Sequence, residues 1–528
     1  MRPGLSLVGP GAHARLLART DVRLRKGRFE LVNESLTFGA AQIADLIAVH
    51  DALDAAGIDH LLVRRDDDRP TIALDHARFD EIERVLAEAF ADEPFYSRAG
   101  GETAVLIADG ALADSRDPRV LRLFRPRASA TGRLRFGAAT GVRLEFWDFG
   151  TDAILAPAEN ALMRRRLPRA EAVESQVQLH GRTWLTLDGM FDVLASDVTF
   201  DIDMVFSWVD GSSVEFQRAR AARMLAHVVG DGDDSDARFR QIDELKYALR
   251  SVYTFAPWVR RIFIVTDSPR PAWLAEHPRV SLVRSEQFFA DTSVLPTHNS
   301  HAVEAQLHRI EGLSEHFLYS NDDMFLGRPV RPDLFFSPGG ITKFIEASTR
   351  IGLGDTQPER SGFENAARVN RRLLRERFGR VTTRHLEHAA APLRRSVIAE
   401  LAEQFPEEFA RTAASRFRSA TDISVTNSLY HYYALMTGRA VQQTGASVKY
   451  IETTLAKAPG EMNRLLEERD HDLFCLNDGS HPEISVTRRT RTVQRFLERY
   501  FPIPAPWERP TPAAGSASSS ATRQQPAG

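Results

Sequence analysis

Phe317-Leu318-Tyr319-Ser320-Asn321-Asp322-Asp323-Met324-Phe325-Leu326 places two adjacent carboxylates between two apolar segments. Both segments favour burial, and an ionised carboxylate taken out of water is strongly destabilised unless a cation or hydrogen-bond donors compensate it. Other runs of acids, Asp66-Asp67-Asp68 and Asp233-Asp234, sit among polar neighbours and read as solvated loops. The stretch therefore predicts a buried strand that ends at a metal–diphosphate or catalytic site, with Asp322 and Asp323 as its ligands.

From about residue 199 the surrounding chain alternates strands and helices. Met204-Val205-Phe206-Ser207-Trp208-Val209 reads as a buried strand, and Asp210-Gly211-Ser212-Ser213 supplies turn chemistry. Glu244 to Phe255 reads as a helix stopped near Pro257, and Asn299 to Ile310 as another. Ile262-Phe263-Ile264-Val265-Thr266-Asp267 and Val280-Ser281-Leu282-Val283 are further strands. Such alternation implies an α/β fold: a mostly parallel, Rossmann-like (GT-A-like) sheet covered on both faces, with a helical C-terminal elaboration. Right-handed crossovers gather the strand C-termini on one edge, where ligands bind in open α/β sheets. Asp210, Asp267 and Asp322-Asp323 all fall at or just past such ends. Trp208 and Trp258 read as core residues.

The first 198 residues follow another pattern. A helix from Ile43 through Leu53, strands at 60–63 and 71–74, a helix over 80–90 and an alternating strand at 142–147 predict a smaller N-terminal α+β domain. Its basic residues Arg122, Arg125, Arg127, Arg133 and Arg135 read as a solvated strand-and-loop surface in preference to a contact for an anionic glycan or lipid. The predicted organisation is an accessory domain at 1–198, a catalytic domain at 199–506 and a disordered tail at 507–528, of low complexity from Pro510 on.

Composition narrows the function classes. The 528 residues are 43% apolar and 26% charged with a formal charge of −3, which offers no basis for nucleic-acid binding. A single cysteine, Cys475, rules out an internal disulfide framework and fits a reducing cytoplasm. No stretch approaches the roughly 18 apolar residues of a membrane span. The N-terminal residues do not read as a secretory signal. A cytoplasmic protein is expected, with peripheral contact to the inner membrane face through a partner.

Acidic strand ends of this kind suit a divalent cation, Mg²⁺ or Mn²⁺. Mg²⁺ takes one or two protein carboxylates and shares its remaining positions with phosphate and water. A Walker loop, a Gly-x-Gly-x-x-Gly turn after a strand and a His-Glu-x-x-His motif are all missing. The residues alone thus favour a glycosyltransferase-like site for a nucleotide sugar. Arg240, Asp243, Glu244 and Lys246 cluster at a helix start, where phosphate binding and ordinary capping are equally good readings.

Four longer motifs carry a resemblance. Ile202-Asp203-Met204-Val205-Phe206-Ser207-Trp208-Val209-Asp210-Gly211-Ser212 resembles the first signature region of the Stealth family. Arg238 to Asp267, continued by Leu295-Pro296-Thr297-His298-Asn299-Ser300-His301 and on to Asp323, resembles the second. Glu387-His388 with Pro392, and Phe405-Pro406-Glu407-Glu408-Phe409 on to Arg418, are similar to the third. Phe474-Cys475-Leu476-Asn477-Asp478 is similar to the fourth. Departures lie at Gln241-Ile242, Ser320 and Asp210, and bear on the donor sugar more than on reaction type.

The resemblance implies transfer of a hexose 1-phosphate from a nucleotide-diphosphate sugar, a UDP-sugar by preference, to a hydroxyl of a polysaccharide or oligosaccharide acceptor in exopolysaccharide or capsule synthesis. It assigns Asp203, Asp323, His388 and Arg418 to catalysis, with His388 as base and Arg418 on the phosphoryl oxygens. Arg240, Asp243, Lys246 and Asn321 would bind the donor, and Asp322, Asp323, Asn477 and Asp478 the cation. Alternatives left open are a metal-dependent glycosyltransferase releasing nucleoside diphosphate and a non-catalytic glycan-binding protein.

Overall fold

Residues 11–67, 69–114, 118–211, 242–479 and 482–510 are described by the computed structural model. Two large sheets divide them. Residues 60–187 contribute a ten-stranded mixed sheet, beside which a four-stranded sheet joins Val22–Arg25 and Arg28–Val32 to Arg127–Ala128 and Arg135–Phe136. The helices Phe38–Ala55 and Phe79–Ala89 bury Leu46, Val49, Leu53, Ile82 and Leu86 in the cluster that covers one face of the larger sheet. The helices and strands expected here are present, and several short strands between them were not anticipated.

The second sheet fixes the site. Its strands, with the helix and shorter strands that accompany them, are β1 (Ile202–Ser207), α1 (Glu244–Phe255), β2 (Ile262–Val265), β3 (Val280–Val283), β4 (His316–Asn321), β5 (Met324–Leu326) and β6 (Ala391–Arg394). Further on come β7 (Val448–Glu452), β8 (Leu473–Asn477) and α2 (Val486–Tyr500). The main sheet has the order β3-β2-β1-β4-β6. All its neighbours are parallel except β6, which runs antiparallel to β4 on the edge. Both faces are covered, which explains the unbroken apolar runs. Met204 and Phe206 enter one core with Leu245, Leu249 and Val252 of α1; Val205 enters the other with Phe317, Tyr319 and Leu393. Successive side chains of a strand point to opposite faces, so one short strand serves two cores.

A smaller sheet, β5-β8-β7, stands beside the first. β5 pairs antiparallel with β8, Met324 opposite Cys475 and Leu326 opposite Leu473. Phe325 stacks on Phe474 with ring centroids 5.0 Å apart, and Phe474 packs on Phe496 and Tyr500 of α2. The apolar run after Asp323 is thus buried against the C-terminal part of the chain.

Two expectations need correction. Asn299 to Ile310 is not one helix: an α-helical turn at Ser300–Glu304 is followed by a tighter turn at Leu307–Arg309. The chain at 507–509 is no loose tail. Trp507 is fully buried, Glu508 pairs with Arg250 at 2.7 Å, and the Arg509 N–H donates to the Trp273 carbonyl. An indole of that size fills a core cavity, and the residues beside it are held with it.

Candidate active site

After β1 the chain builds β2 and β3 on one side, then crosses back to place β4 on the other side of β1. The C-terminal ends of β1 and β4 therefore flank the point where strand order reverses. Connections diverge there and leave a crevice, the usual ligand site of such sheets. Ser207 lies opposite Asn321 in the register, so Trp208-Val209-Asp210 and Asp322-Asp323 leave the sheet side by side. Asp210 is fixed by its own N–H, which donates to Ser268 Oγ at 2.8 Å. Asp267 serves the frame: its carboxylate accepts the Ser285 N–H at 2.9 Å.

Acids converge on this crevice. Burial pushes the Asp322 carboxyl well above the ordinary carboxylate range, and the charges of Asp323, Glu244 and Asp478 push it further. Glu244, the first residue of α1, is buried and accepts the Ile242 N–H at 2.9 Å. Asp323 reaches the end of β8: its carbonyl accepts the Leu476 N–H at 3.0 Å, and its Oδ2 lies 3.5 Å from Cys475 Sγ. Burial raises the Cys475 thiol strongly, with the Asp323 charge next, so this sulfur stays protonated. Just past β8, Asp478 accepts a hydrogen bond from Thr453 and lies 3.6 Å from Arg489. Asn477 donates to the Tyr450 hydroxyl at 2.6 Å.

Like charges acting on one buried carboxyl favour a cation or a proton there. The donors are oxygens, as Mg²⁺ and Mn²⁺ prefer. Among the described residues, no three His, Cys, Asp or Glu side chains are grouped to hold a metal ion. The arrangement therefore does not fit an all-protein cage. It does fit an ion held by one or two carboxylates and completed by substrate phosphate.

His388 joins the same neighbourhood through Tyr450. The two rings meet edge to face with centroids 5.4 Å apart, and Phe363 lies on another side of the imidazole at 6.0 Å. Burial lowers the His388 pKa, which keeps the ring neutral and able to accept a proton. Arg418 approaches from the other flank. Its Nη2 donates to Ser300 Oγ at 2.9 Å, and its charge acts on Glu304. Glu304 is 2% exposed; it accepts from Thr426 Oγ1 at 2.8 Å and lies 3.3 Å from the Tyr319 hydroxyl. That hydroxyl is also 3.2 Å from Asn321 Oδ1. A phenol has one hydrogen, so Tyr319 donates to Asn321 while Glu304 carries a proton of its own, and can turn to Glu304 when that proton leaves.

The remaining expected residues stand elsewhere. Asp203 is fully buried near the opposite end of β1, across from Phe317. Both its oxygens accept from Arg260, at 2.9 and 2.6 Å, and it also accepts the N–H groups of Arg261 and Ser314. With its oxygens so engaged, it ties β1 to the loops before β2 and β4; the catalytic assignment is corrected to an anchoring one. Lys246 points to Glu508, 3.7 Å away, and not into the acidic crevice. Asp243 is exposed, in the left-handed region at φ 61°, and makes no side-chain cap bond to α1. Arg240 lies outside the described residues.

Glu304 and Tyr450 were missed as site residues, and Glu244 was assigned only to a helix start. The signal for Glu304 was present: His301, Glu304 and Ala305 share one helical face, and an acid on a buried face demands a reason. Tyr450 had no such signal, because parallel pairing of β7 with β8 brings it opposite Cys475.

Comparison with known proteins agrees with the motifs. Conserved regions 1 to 4 of the Stealth proteins match residues 200–228, 238–344, 387–435 and 463–518. An exopolysaccharide phosphotransferase of Mycobacterium leprae is 58% identical over 488 residues, 92% of this chain and 90% of that one. One of Mycobacterium tuberculosis is 56% identical over 510 residues, 96% of each chain. Among solved structures, a galactosyltransferase in complex with donor and acceptor sugar analogues aligns at a TM-score of 0.29 and 12% identity, over 57% of this chain and 96% of that one. That likeness is too slight to transfer residue roles.

Proposed function

The chain belongs to the Stealth family of exopolysaccharide phosphotransferases, and from that premise we propose that it moves a hexose 1-phosphate from a nucleotide-diphosphate sugar to a saccharide hydroxyl. A phosphodiester forms and the nucleoside monophosphate leaves. The observation that carries this reading is the convergence of Asp322, Asp323, Glu244 and Asp478 at the strand-order reversal, with neutral His388 close by.

In this proposal one or two of the carboxylates of Asp322, Asp323 and Asp478 would hold the divalent cation, with Asn477 beside them across the β5–β8 pairing and substrate phosphate completing the set. When bound, the ion offsets diphosphate charge and charge developing on the leaving phosphate. His388 takes the proton of the acceptor hydroxyl, for which a neutral imidazole is suited. Arg418, reached through Ser300 and Glu304, neutralises phosphoryl oxygens with a planar fork. Attack at phosphorus leaves the sugar's anomeric C–O bond intact, so its configuration is retained. The first 198 residues act as an accessory unit, and the reaction runs in the cytoplasm, where the buried, unpaired Cys475 stays reduced. Among the described residues no helix is long and apolar enough to cross a membrane, and peripheral contact through a partner is part of this reading.

The test is ³¹P NMR of products from a panel of nucleotide sugars with an oligosaccharide acceptor and Mg²⁺. A phosphodiester resonance together with nucleoside monophosphate is expected. Release of nucleoside diphosphate would identify a glycosyltransferase, and no turnover across the panel a binding protein. Full activity of both Asp323→Asn and His388→Ala would remove the site assignment even if the reaction stood.

A further inference from the structure

The ten-stranded sheet of the N-terminal region carries a row of cations that the reaction above does not use. On adjacent antiparallel strands, Arg98 lies directly opposite Arg122, and Arg122 directly opposite Arg143. Directly opposed residues have Cβ atoms about 5 Å apart, and like charges so placed destabilise a sheet. Arg69 adjoins the row, because Arg143 pairs with Thr71 two residues farther on.

Of the carboxylates nearby, one is fully engaged and another lies close by without a salt bridge to the row. Glu145 is fully buried and accepts from Arg143 at 2.5 Å, Arg65 at 3.0 Å and the Trp147 indole at 3.0 Å. Asp67 accepts the Arg69 backbone N–H at 3.2 Å. Among the described residues, Arg69, Arg98 and Arg122 have no salt bridge to a carboxylate, and Arg69 Nη1 and Arg98 Nε are buried with no hydrogen-bond partner. The contrast with neighbouring arginines is sharp. Arg125 and Arg127 share Asp45 at 2.7 and 2.6 Å, Arg135 meets Glu30, and Arg119 meets Asp148. The basic stretch read from the sequence thus divides: Arg125, Arg127 and Arg135 are structural, and Arg122 belongs to the unmatched row. Burial, then the charges of Arg69, Arg98 and Arg143, depress the Arg122 pKa, opposed in part by the charge of Asp67.

We propose that Arg69, Arg98 and Arg122 form a binding site for the phosphate group of a phosphorylated saccharide, separate from the acidic crevice. Guanidinium forks match phosphate oxygens in pairs, and an anion at the row would offset the charge of three partly exposed arginines that no described carboxylate pairs with. The saccharide half rests on the proposed phosphodiester-forming activity, whose acceptor and product would carry such groups; the phosphate half rests on the arginine row alone.

The experiment uses the full chain with inorganic phosphate, glucose 1-phosphate and phosphatidylglycerol vesicles as probes, with chloride matched for ionic strength. It compares wild type, the double variant R98Q/R122Q and the fork-removing R98K/R122K. Asp323→Asn serves as the background, so that turnover plays no part and failure here is separable from failure of the proposed reaction. Wild type is expected to bind both soluble phosphates, and each double variant about tenfold or more weakly, the loss of a charge-assisted hydrogen bond. Without ligand, R98Q/R122Q should unfold at the same temperature as wild type or higher, since repulsion is removed. Equal phosphate binding by the variants, binding to vesicles alone, or a less stable unliganded R98Q/R122Q would overturn the site. Glucose 1-phosphate no tighter than phosphate would overturn the saccharide half.

Discussion

Glu304→Gln tests whether the network beside the crevice holds a proton near neutrality. Burial pushes this carboxyl from its ordinary value to about 7, opposed only in part by Thr426, Arg418 and Tyr319. Between the unfolded value near 4.5 and about 7, the folded protein keeps a proton that the unfolded chain has released. Stability therefore falls as pH rises through that window, by about 3 kcal/mol at about 1.4 kcal/mol per unit. Glutamine has the same shape and no charge; its carbonyl accepts from Thr426 and its amide can donate to the Tyr319 oxygen. The expected result is a stability that declines from pH 5 to pH 8 more steeply in wild type than in Glu304→Gln, in which Asp422, itself raised to about 6, still titrates; the variant gains about 3 kcal/mol relative to wild type. Urea titrations of both proteins across that range measure it. A variant-minus-wild-type difference constant within about 1 kcal/mol would show that Glu304 titrates normally, and the protonated relay to Tyr319 and Asn321 would go with it.

Other outcomes follow from the same geometry. Asp203→Asn should cost stability, about 2 kcal/mol given that Arg260 is more than a third exposed; activity per folded molecule should persist, and a catalytic defect in fully folded protein would restore the rejected role. The lowered pKa of His388 places the acid limb of the kcat profile below the ordinary histidine value of 6.5, and His388→Ala should abolish that limb together with most of the rate; an unchanged limb would assign it to another group. Gly479→Ala would set a Cβ against the Glu452 carboxylate, forcing that side chain off the turn after Asn477 and Asp478. Weaker Mg²⁺ dependence with a nearly unchanged unfolding temperature is expected, and an unaltered Mg²⁺ titration would separate the turn from the cation.

Some of this was legible in the chain and some was not, for physical reasons. β1, β2, β3, β4 and α1 were readable because each is a local apolar pattern bounded by its own turn chemistry. The acid pair was readable for the same reason, as charge inside an apolar context. Asp203 misled because a motif position says nothing about which end of a strand faces the ligand; its carboxylate is engaged by an arginine fifty-seven residues on. Lys246 misled because its partner, Glu508, lies in a stretch that looked too polar to pack. Glu244 and Tyr450 become site residues only through long-range pairing, and composition holds no trace of that. The arginine row is of the same kind, since ordinary sequence spacing gives no hint that residues 98, 122 and 143 stand shoulder to shoulder.

The pairing of β5 with β8 has a consequence for biosynthesis. Asp323 is held next to a strand that begins 150 residues later, at Leu473. A nascent chain can complete β1 through β6 on the ribosome and still lack the wall that positions its acids. Completion of the site is thereby coupled to translation of the last tenth of the polypeptide: a product truncated before Leu473 would lack both the strand beside Asp323 and the Phe474, Phe496 and Trp507 side chains that finish the core of the main sheet.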